Sequence, residues 1–238
     1  MRSVSCYHAA MRWHTGWVRE VRGDGLGHTA AWVSCPSPVI PAAGRYLLAS
    51  DENAVLPTPL FASQVLEDGF LAAPPVPPTW MPGTPLSLRG PQGRGFSIPE
   101  GIRRLALAAL GDTAARLLPL VNLAIRRDIS VAVFTDTPLS PLPALVEINL
   151  LGALPDALSW ADFLIADLQM DALPRLGAAL GLSPTSRLPC PGQALVIVPM
   201  PCGGMADCGV CALPARKGWR LACKDGPVLD LDELLDAG

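Results

Sequence analysis

Residues 201–211 read PCGGMADCGVC, and a further cysteine follows after eleven intervening residues. The cysteines of this segment have the spacing C-x5-C-x2-C-x11-C and are Cys202, Cys208, Cys211 and Cys223. Plant-type [2Fe–2S] sites use C-x4-C-x2-C with a distant fourth cysteine, so only the first gap is longer here. Gly203, Gly204 and Gly209 permit the positive φ angles of a loop that directs its thiolates inward. We predict that the four cysteines bind a [2Fe–2S] cluster.

The same cysteines would also suit a single tetrahedral zinc ion. Zinc ribbons usually pair two CxxC knuckles, and this segment has only the one formed by Cys208 and Cys211. Zinc and free redox thiols are therefore the alternatives to a cluster. Four apolar residues are candidates for shielding the centre from water: Met200, Met205, Leu213 and Trp219.

The composition indicates a folded protein that does not bind nucleic acid. Half of the 238 residues are hydrophobic, 16% are charged, and the net charge is −3, whereas a nucleic-acid binder carries a basic stripe. The most apolar run, residues 105–125, contains Asp112 and Arg116, and a membrane-spanning helix needs about 20 residues with few or no charges. Residues 1–15 have no apolar core of signal-peptide length. We therefore expect a cytoplasmic protein with neither a nucleic-acid nor a membrane partner.

Upstream of the cysteines, two different patterns predict two domains. The first consists of short alternating runs separated by Gly and Pro turns, which is typical of a small antiparallel barrel or sandwich. The second consists of apolar strands alternating with helices, which predicts a wound, parallel α/β sheet. The chain is thus predicted to be a multi-domain α+β protein with an N-terminal extension (1–15), an antiparallel β-barrel (16–100), an α/β domain (101–199) and a small cluster domain (200–238).

Individual elements follow from the same patterns. In the first domain, we predict strands over residues 17–22, 28–34, 45–49, 65–72 and 86–89. In the second, we predict strands over 105–110, 129–134, 163–166 and 194–198, and helices over 114–125, 154–158 and 171–180. Asp230–Glu233 resembles a capping box, which predicts a short terminal helix.

The tail resembles a known family. Residues 202–211 and the segment LACKDGPV at 221–228 are similar to the end of the electron-transfer subunit of dihydroorotate dehydrogenase B, which has a glycine-spaced cysteine loop and a Cys-x-Asp-Gly-Pro-Val ending. The resemblance implies a ferredoxin-reductase-like order of FAD-binding barrel, nucleotide-binding α/β domain and cluster domain. It also implies a flavin-containing dehydrogenase catalytic subunit as partner, which oxidises dihydroorotate to orotate in pyrimidine biosynthesis. The substrate site, and with it every catalytic residue, would belong to that partner.

The resemblance also implies an FAD site on the barrel. The arginine of the family's Arg-Pro-x-Ser motif pairs with the flavin phosphate, and Thr58 stands in its place. The family's Gly-Pro-x-Gly-x-Gly-Phe turn matches residues 90–96. The candidate flavin-binding residues are Thr58, Pro59, Leu60, Gly83, Thr84, Gly93 and Gly95. Because Arg89 or Arg94 could pair with the phosphate instead of the missing arginine, FAD binding is left open.

The family's glycine-rich nucleotide loop follows the first strand of the α/β domain, where backbone approaches a phosphate. Here that stretch is residues 108–114, and the candidate nucleotide-binding residues are Gly111 and Thr113. Asp112 would place a negative charge beside the phosphate, so NAD(H) binding is disfavoured, and Asp112 or Thr113 could simply cap a helix. Two alternative functions follow: an accessory iron–sulfur protein that has lost its nucleotide sites, and a zinc-stabilised structural module.

Overall fold

The computed structural model describes residues 12–23, 28–139, 142–183 and 187–235 of the chain. In its first half, six antiparallel strands close into a barrel in the order β1-β2-β5-β4-β3-β6. They are β1 (Trp13–Gly23), β2 (Thr29–Ser34), β3 (Tyr46–Ser50), β4 (Thr58–Leu66), β5 (Gly69–Ala72) and β6 (Pro85–Gln92). Since successive side chains of a strand face opposite sides, one set points inward, and Val33, Leu47, Leu60, Phe70 and Leu88 fill the barrel.

The second half contains a six-stranded sheet in the order β14-β11-β10-β7-β8-β9. Its strands are β7 (Arg104–Ala109), β8 (Ser130–Thr135), β9 (Val146–Asn149), β10 (Phe163–Gln169), β11 (Gly192–Ile197) and β14 (Val228–Asp230). All neighbours pair in parallel except β14, which is antiparallel to β11. The central strands β7 and β10 are buried along nearly their whole length, as expected for a parallel sheet covered on both faces.

The helices are short. They are α1 (Leu118–Arg126), α2 (Leu154–Ala157), α3 (Leu176–Ala179), α4 (Ala222–Asp225) and α5 (Leu231–Leu235). The cysteine loop leads into a hairpin of β12 (Ala212–Ala215) and β13 (Gly218–Leu221), then into α4, β14 and α5. In the described part of the chain, no helix has both the length and the apolarity needed to cross a bilayer.

The predicted α+β architecture, an antiparallel sheet followed by an α/β sheet, is confirmed. Several boundaries differ. Residues 13–15, predicted to belong to the extension, form the start of β1, while residues 1–11 lie outside the described part. The single strand predicted over 65–72 is a hairpin, because Glu67 and Asp68 form a turn between β4 and β5.

Two further differences have clear physical causes. The helix predicted over 171–180 is a 3-10 helix (Met170–Arg175) followed by α3. Pro174 lies inside that segment, and proline lacks the N–H that a continuous α-helix requires. The second difference concerns the tail. Its strand β14 extends the α/β sheet in the antiparallel direction, so the sheet is mixed rather than wholly parallel.

Candidate metal centre

The cysteine loop owes its shape to four residues with positive φ. They are Gly203 (63°), Gly204 (75°), Ala206 (65°) and Gly209 (70°). Glycine adopts such angles without steric cost, whereas Ala206 is held there by its surroundings. Successive N–H groups in this kind of backbone form a concave, anion-binding surface.

That concave surface faces the cysteine sulfurs. The backbones of Met205, Asp207 and Cys208 hydrogen-bond to the sulfur of Cys202. The backbone of Ala206 hydrogen-bonds to Cys223. Hydrogen bonds from N–H groups to cysteine sulfur are a principal means of setting the potential of an iron–sulfur cluster.

The four thiols are arranged as two pairs. The Sγ atoms of Cys211 and Cys223 lie 3.3 Å apart, and both residues are buried. The side chains of Cys202 and Cys208 hydrogen-bond to each other, and Cys208 is exposed. In the part of the chain described, no three His, Cys, Asp or Glu side chains converge on one metal position. Two pairs fit a two-metal centre with two thiolates per metal. A single tetrahedral zinc ion would instead need all four sulfurs within about 4 Å of one another.

Cys202 and Cys223 differ in the ease with which their thiols ionise. Although burial raises it, hydrogen bonds from the Asp207 backbone and the Cys208 side chain lower the pKa of Cys202 to about 6. Burial and the adjacent Cys211 thiol raise the pKa of Cys223 to about 12. Metal ligands are thiolates, so metal binding by Cys223 would be coupled to proton release.

The barrel wall supports the cysteine loop from one side. A Cβ atom on Gly204 would lie 2.9 Å from Oε1 of Gln92 and 3.0 Å from the hydroxyl of Tyr46. That hydroxyl donates a long hydrogen bond of 3.5 Å to the Cys223 carbonyl. Burial raises the pKa of Tyr46, and the thiols of Cys223 and Cys211 raise it further. Only glycine at 204 allows the loop to approach the barrel this closely.

Arg89 of β6 makes a second contact between barrel and loop. Its Nη2 atom donates a hydrogen bond to the carbonyl of Gly203. Its guanidinium also lies over the ring of Trp13, 5.6 Å from the centroid. Arg89 is therefore engaged with the cysteine loop. Arg94, the other arginine considered for a phosphate, lies 3.9 Å from Asp230.

A buried ion pair fills the crevice of the α/β sheet. Dinucleotides bind such sheets at the carboxyl ends of the strands where the strand order reverses, which here is between β7 and β10. At this point, Nε of Arg116 donates to Oδ2 of Asp167 at 2.8 Å, and their side chains are 4% and 0% exposed. Nη2 of Arg116 also lies 3.3 Å from Asp112.

The same arginine covers the predicted phosphate loop. A Cβ atom on Gly111 would lie 3.7 Å from Nη2 of Arg116. Thr113 uses its hydroxyl to accept the Ala115 N–H at 3.1 Å. The N-cap residues of the 3-10 helix Ala115–Leu117 and of α1 are Ala114 and Leu117, so neither Asp112 nor Thr113 caps a helix as the alternative predicted. Burial raises the pKa of Asp167 despite its arginine partner. Of the predicted nucleotide residues, Gly111 therefore lies beside a guanidinium that is bound to two carboxylates.

The connection between β5 and β6 precedes the Gly-Pro-x-Gly-x-Gly-Phe turn of the implied flavin site. It offers few N–H donors for the pyrophosphate of FAD. Five of its residues are prolines, which have no N–H: Pro74, Pro75, Pro77, Pro78 and Pro82. Val76 donates its N–H to Thr29, and Trp80 donates its own to Pro77. The indole of Trp80 is buried and donates to Asp51 at 2.8 Å. These residues do not fit the pyrophosphate of FAD.

Residues 199–235 match a family model described as the iron–sulfur cluster binding domain of dihydroorotate dehydrogenase B. The chain resembles the electron-transfer subunit of dihydroorotate dehydrogenase B. This resemblance, predicted from the cysteine loop and the residues that follow it, is confirmed. No curated protein is significantly similar to the chain in sequence.

Solved structures share the fold over most of the chain. An NADH-dependent reduced ferredoxin–NADP oxidoreductase, described in connection with flavin-based electron bifurcation, is 17% identical with a TM-score of 0.70, over 92% of this chain and 88% of that one. The ferredoxin reductase of carbazole 1,9a-dioxygenase is 15% identical with a TM-score of 0.57, over 73% of this chain and 66% of its own. An Amycolatopsis cytochrome P450 reductase is 14% identical with a TM-score of 0.56, over 71% of this chain and 66% of its own. At these identities, the likeness shows a ferredoxin-reductase-like fold.

The fold does not bring the candidate flavin-binding residues together in one place. Gly83 and Thr84 form the turn before β6, where the Thr84 hydroxyl accepts the Met81 N–H at 3.2 Å. Gly93 and Gly95 follow the other end of β6. That strand has eight residues, which corresponds to about 26 Å at the usual rise.

The remaining candidates have packing roles. A Cβ atom on Gly93 would lie 2.5 Å from Cδ of Pro227, and one on Gly95 would lie 2.8 Å from the Ala43 carbonyl. These glycines therefore permit close packing, and at Gly93 the partner is the tail. Thr58 and Pro59 begin β4 and are half-buried. Leu60 points into the barrel core.

The expected apolar cover of the cysteines is only half present. Met200 and Leu213 are buried, whereas Met205 and Trp219 are 55% and 68% exposed. The cysteine loop is instead contacted by Tyr46 and Arg89 of the barrel, and no local sequence signal identified these contacts. The buried Arg116 did leave a signal, since it interrupts the most apolar run of the chain.

Proposed function

We propose that this protein transfers electrons through a [2Fe–2S] cluster held by Cys202, Cys208, Cys211 and Cys223. The observation that carries the proposal is the arrangement of the thiols in two pairs, with backbone N–H groups directed at them. The match of residues 199–235 to a cluster-binding domain supports it. When bound, such a cluster supplies one-electron redox chemistry.

The residues of this chain bind, orient and shield. The loop donates N–H groups to sulfur, the barrel wall fixes the loop through Tyr46 and Gly204, and burial keeps water from Cys211 and Cys223. Cys208 is exposed. Electrons would therefore enter and leave on the side of Cys202 and Cys208, where a partner can approach closely.

The partner in this proposal is a flavin-containing dehydrogenase catalytic subunit that oxidises dihydroorotate in pyrimidine biosynthesis. The resemblance of the tail to a domain of dihydroorotate dehydrogenase B supports this assignment. FAD is a second cofactor of the proposal, supported only by the fold shared with reductases. No step is assigned to FAD, because the β5–β6 connection offers few N–H donors for its pyrophosphate. The domain limits of 16–100, 101–199 and 200–238 remain part of the same proposal.

An accessory iron–sulfur protein without nucleotide binding is the second candidate function. The buried pair of Arg116 and Asp167 in the crevice of the sheet favours it. In that case, both the donor and the acceptor of electrons would be proteins. The two candidates share the cluster and differ in whether flavin or NAD(H) reaches it.

The decisive experiment is metal, sulfide and flavin analysis of the anaerobically purified protein. We expect about two irons and two sulfides per chain and a visible spectrum that dithionite bleaches. Replacing any of the four cysteines by serine should abolish that spectrum, whereas the Cys35→Ser control, a buried thiol of the barrel, should retain it. A colourless protein with one zinc per chain would contradict the proposal. FAD released by acid would favour the dehydrogenase subunit over the accessory protein.

A further inference from the structure

Arg89 crosses from the barrel to the cysteine loop. It lies on β6, opposite Trp13 of β1 in the strand register. The ring of Trp13 covers one side of the guanidinium, and Nη2 reaches the carbonyl of Gly203, the residue after Cys202. A Cβ atom on Gly203 would lie 2.8 Å from this Nη2 atom. Gly203 thus leaves the space in which the guanidinium sits.

The positive charge of Arg89 has no carboxylate partner in the described residues. The ion pairs there involve Arg22, Arg94, Arg104, Arg116 and Arg220. In addition, Nε of Arg89 is buried and has no hydrogen-bond partner within the described part of the chain. A buried donor or charge left without a partner is costly, so a negative group near this position would stabilise the guanidinium.

The cysteine loop is where such a negative group would form. Gly203 links the guanidinium directly to Cys202 along the chain, and the adjacent Gly204 packs on the Tyr46 hydroxyl that reaches Cys223. A two-iron cluster with four thiolate ligands is an anion, and it gains one more negative charge on reduction. A cation beside it therefore favours the reduced form, since charge and hydrogen bonding near the sulfurs set the potential.

We propose that Arg89 is a positioning residue of the cluster, which fixes the cysteine loop and raises the cluster's reduction potential. This inference rests on the proposed cluster function. Arg89 belongs to the barrel and lies 114 positions from Gly203, the residue whose carbonyl it binds. The barrel would therefore tune the electron-transfer centre. The stacking of Trp13 on the guanidinium limits its access to water and preserves the strength of its charge.

The test compares Arg89→Gln, Arg89→Lys and the control Arg94→Gln. Arg94 carries the same charge and lies five positions along the chain, but it pairs with Asp230. Iron and sulfide content is measured first, and the midpoint potential is then measured by redox titration followed by electron paramagnetic resonance. In Arg89→Gln, we expect the ratio of reduced to oxidised cluster at a fixed potential to fall about tenfold, equivalent to about 59 mV for one electron. The ratio should fall less in Arg89→Lys, and in Arg94→Gln it should match that of the wild type.

A measurement on the wild type covers the case in which Arg89→Gln does not assemble a cluster. Protein labelled with 15N-arginine is reduced, and its pulsed paramagnetic resonance spectrum should show hyperfine coupling to an arginine nitrogen. Absence of that coupling, or an unchanged midpoint in a fully loaded Arg89→Gln protein, would overturn this inference. Wild-type protein without iron and sulfide would instead overturn the proposed function, so the two failures are distinguishable.

Discussion

Nε of Arg116 lies 2.8 Å from Oδ2 of Asp167, and both side chains are buried between the barrel and the α/β sheet. The same guanidinium donates to the carbonyl of Pro74 at 3.3 Å, so it links the sheet to the β5–β6 connection. Oδ1 of Asp167 has no hydrogen-bond partner among the described residues. The pair therefore holds the two halves together while leaving one buried oxygen unsatisfied.

Arg116→Met should lower the free energy of unfolding by about 3–5 kcal/mol, because it leaves the Asp167 carboxylate buried without its partner. The double variant Arg116→Met/Asp167→Leu should recover most of this loss, since an apolar pair of similar volume often replaces a buried ion pair without penalty. Urea denaturation measures both. The control is Arg104→Met, which breaks the exposed pair with Asp162 and should cause a much smaller loss. Equal losses in the two single variants would contradict this account.

NADH should neither bind tightly nor reduce the cluster. To reach Gly111, a pyrophosphate would have to displace Arg116 from Asp112 and Asp167 and would then lie beside two unpaired carboxylates. Anaerobic addition of NADH should leave the visible spectrum unchanged, while dithionite added to the same sample bleaches it. Calorimetric titration with NADH should show no saturable heat. Stoichiometric bleaching by NADH would show that the crevice opens.

The features that the sequence could predict depend on neighbours along the chain. The four cysteines lie close together in sequence, and the Gly and Pro turns mark the ends of the barrel strands. By contrast, Tyr46 and Cys223 are 177 positions apart, so no local pattern relates the barrel wall to the loop. Strand β14 was missed because it has only three residues, too few to show an alternation.

Asp112 has a partner in the structure that the sequence did not predict. Its charge was expected to repel a phosphate or to cap a helix. In the structure, it lies 3.3 Å from Arg116, four positions later, and the nearer partner of that arginine is Asp167 of strand β10, at 2.8 Å. The pairing of Arg116 with Asp167 requires β10 to lie beside β7 in the sheet. The alternation of helices and strands along the sequence does not specify this order.

Gly204→Ala should reduce the iron content and the melting temperature more than Gly209→Ala. Both glycines have positive φ, 75° and 70°, so both variants incur a similar backbone strain of about 1–2 kcal/mol. Only at Gly204 would the new Cβ also meet Gln92 and Tyr46, at 2.9 and 3.0 Å, whereas nothing lies within 4 Å at Gly209. The difference between the variants therefore measures the contact between loop and barrel. Equal effects would mean that this contact does not hold the loop.

Loss of the cluster should loosen the cysteine loop but not the end of the tail. The loop contacts the barrel through a few side-chain bonds at Gly203 and Cys223. In contrast, β14 pairs with β11 along its whole length, and Val228 is fully buried. Hydrogen exchange of the Cys208→Ser protein should therefore rise over residues 200–212 and stay at the wild-type level over 228–230. If both segments lost protection together, the cluster would be stabilising the whole tail, and the independent anchoring of β14 inferred from its pairing would be wrong.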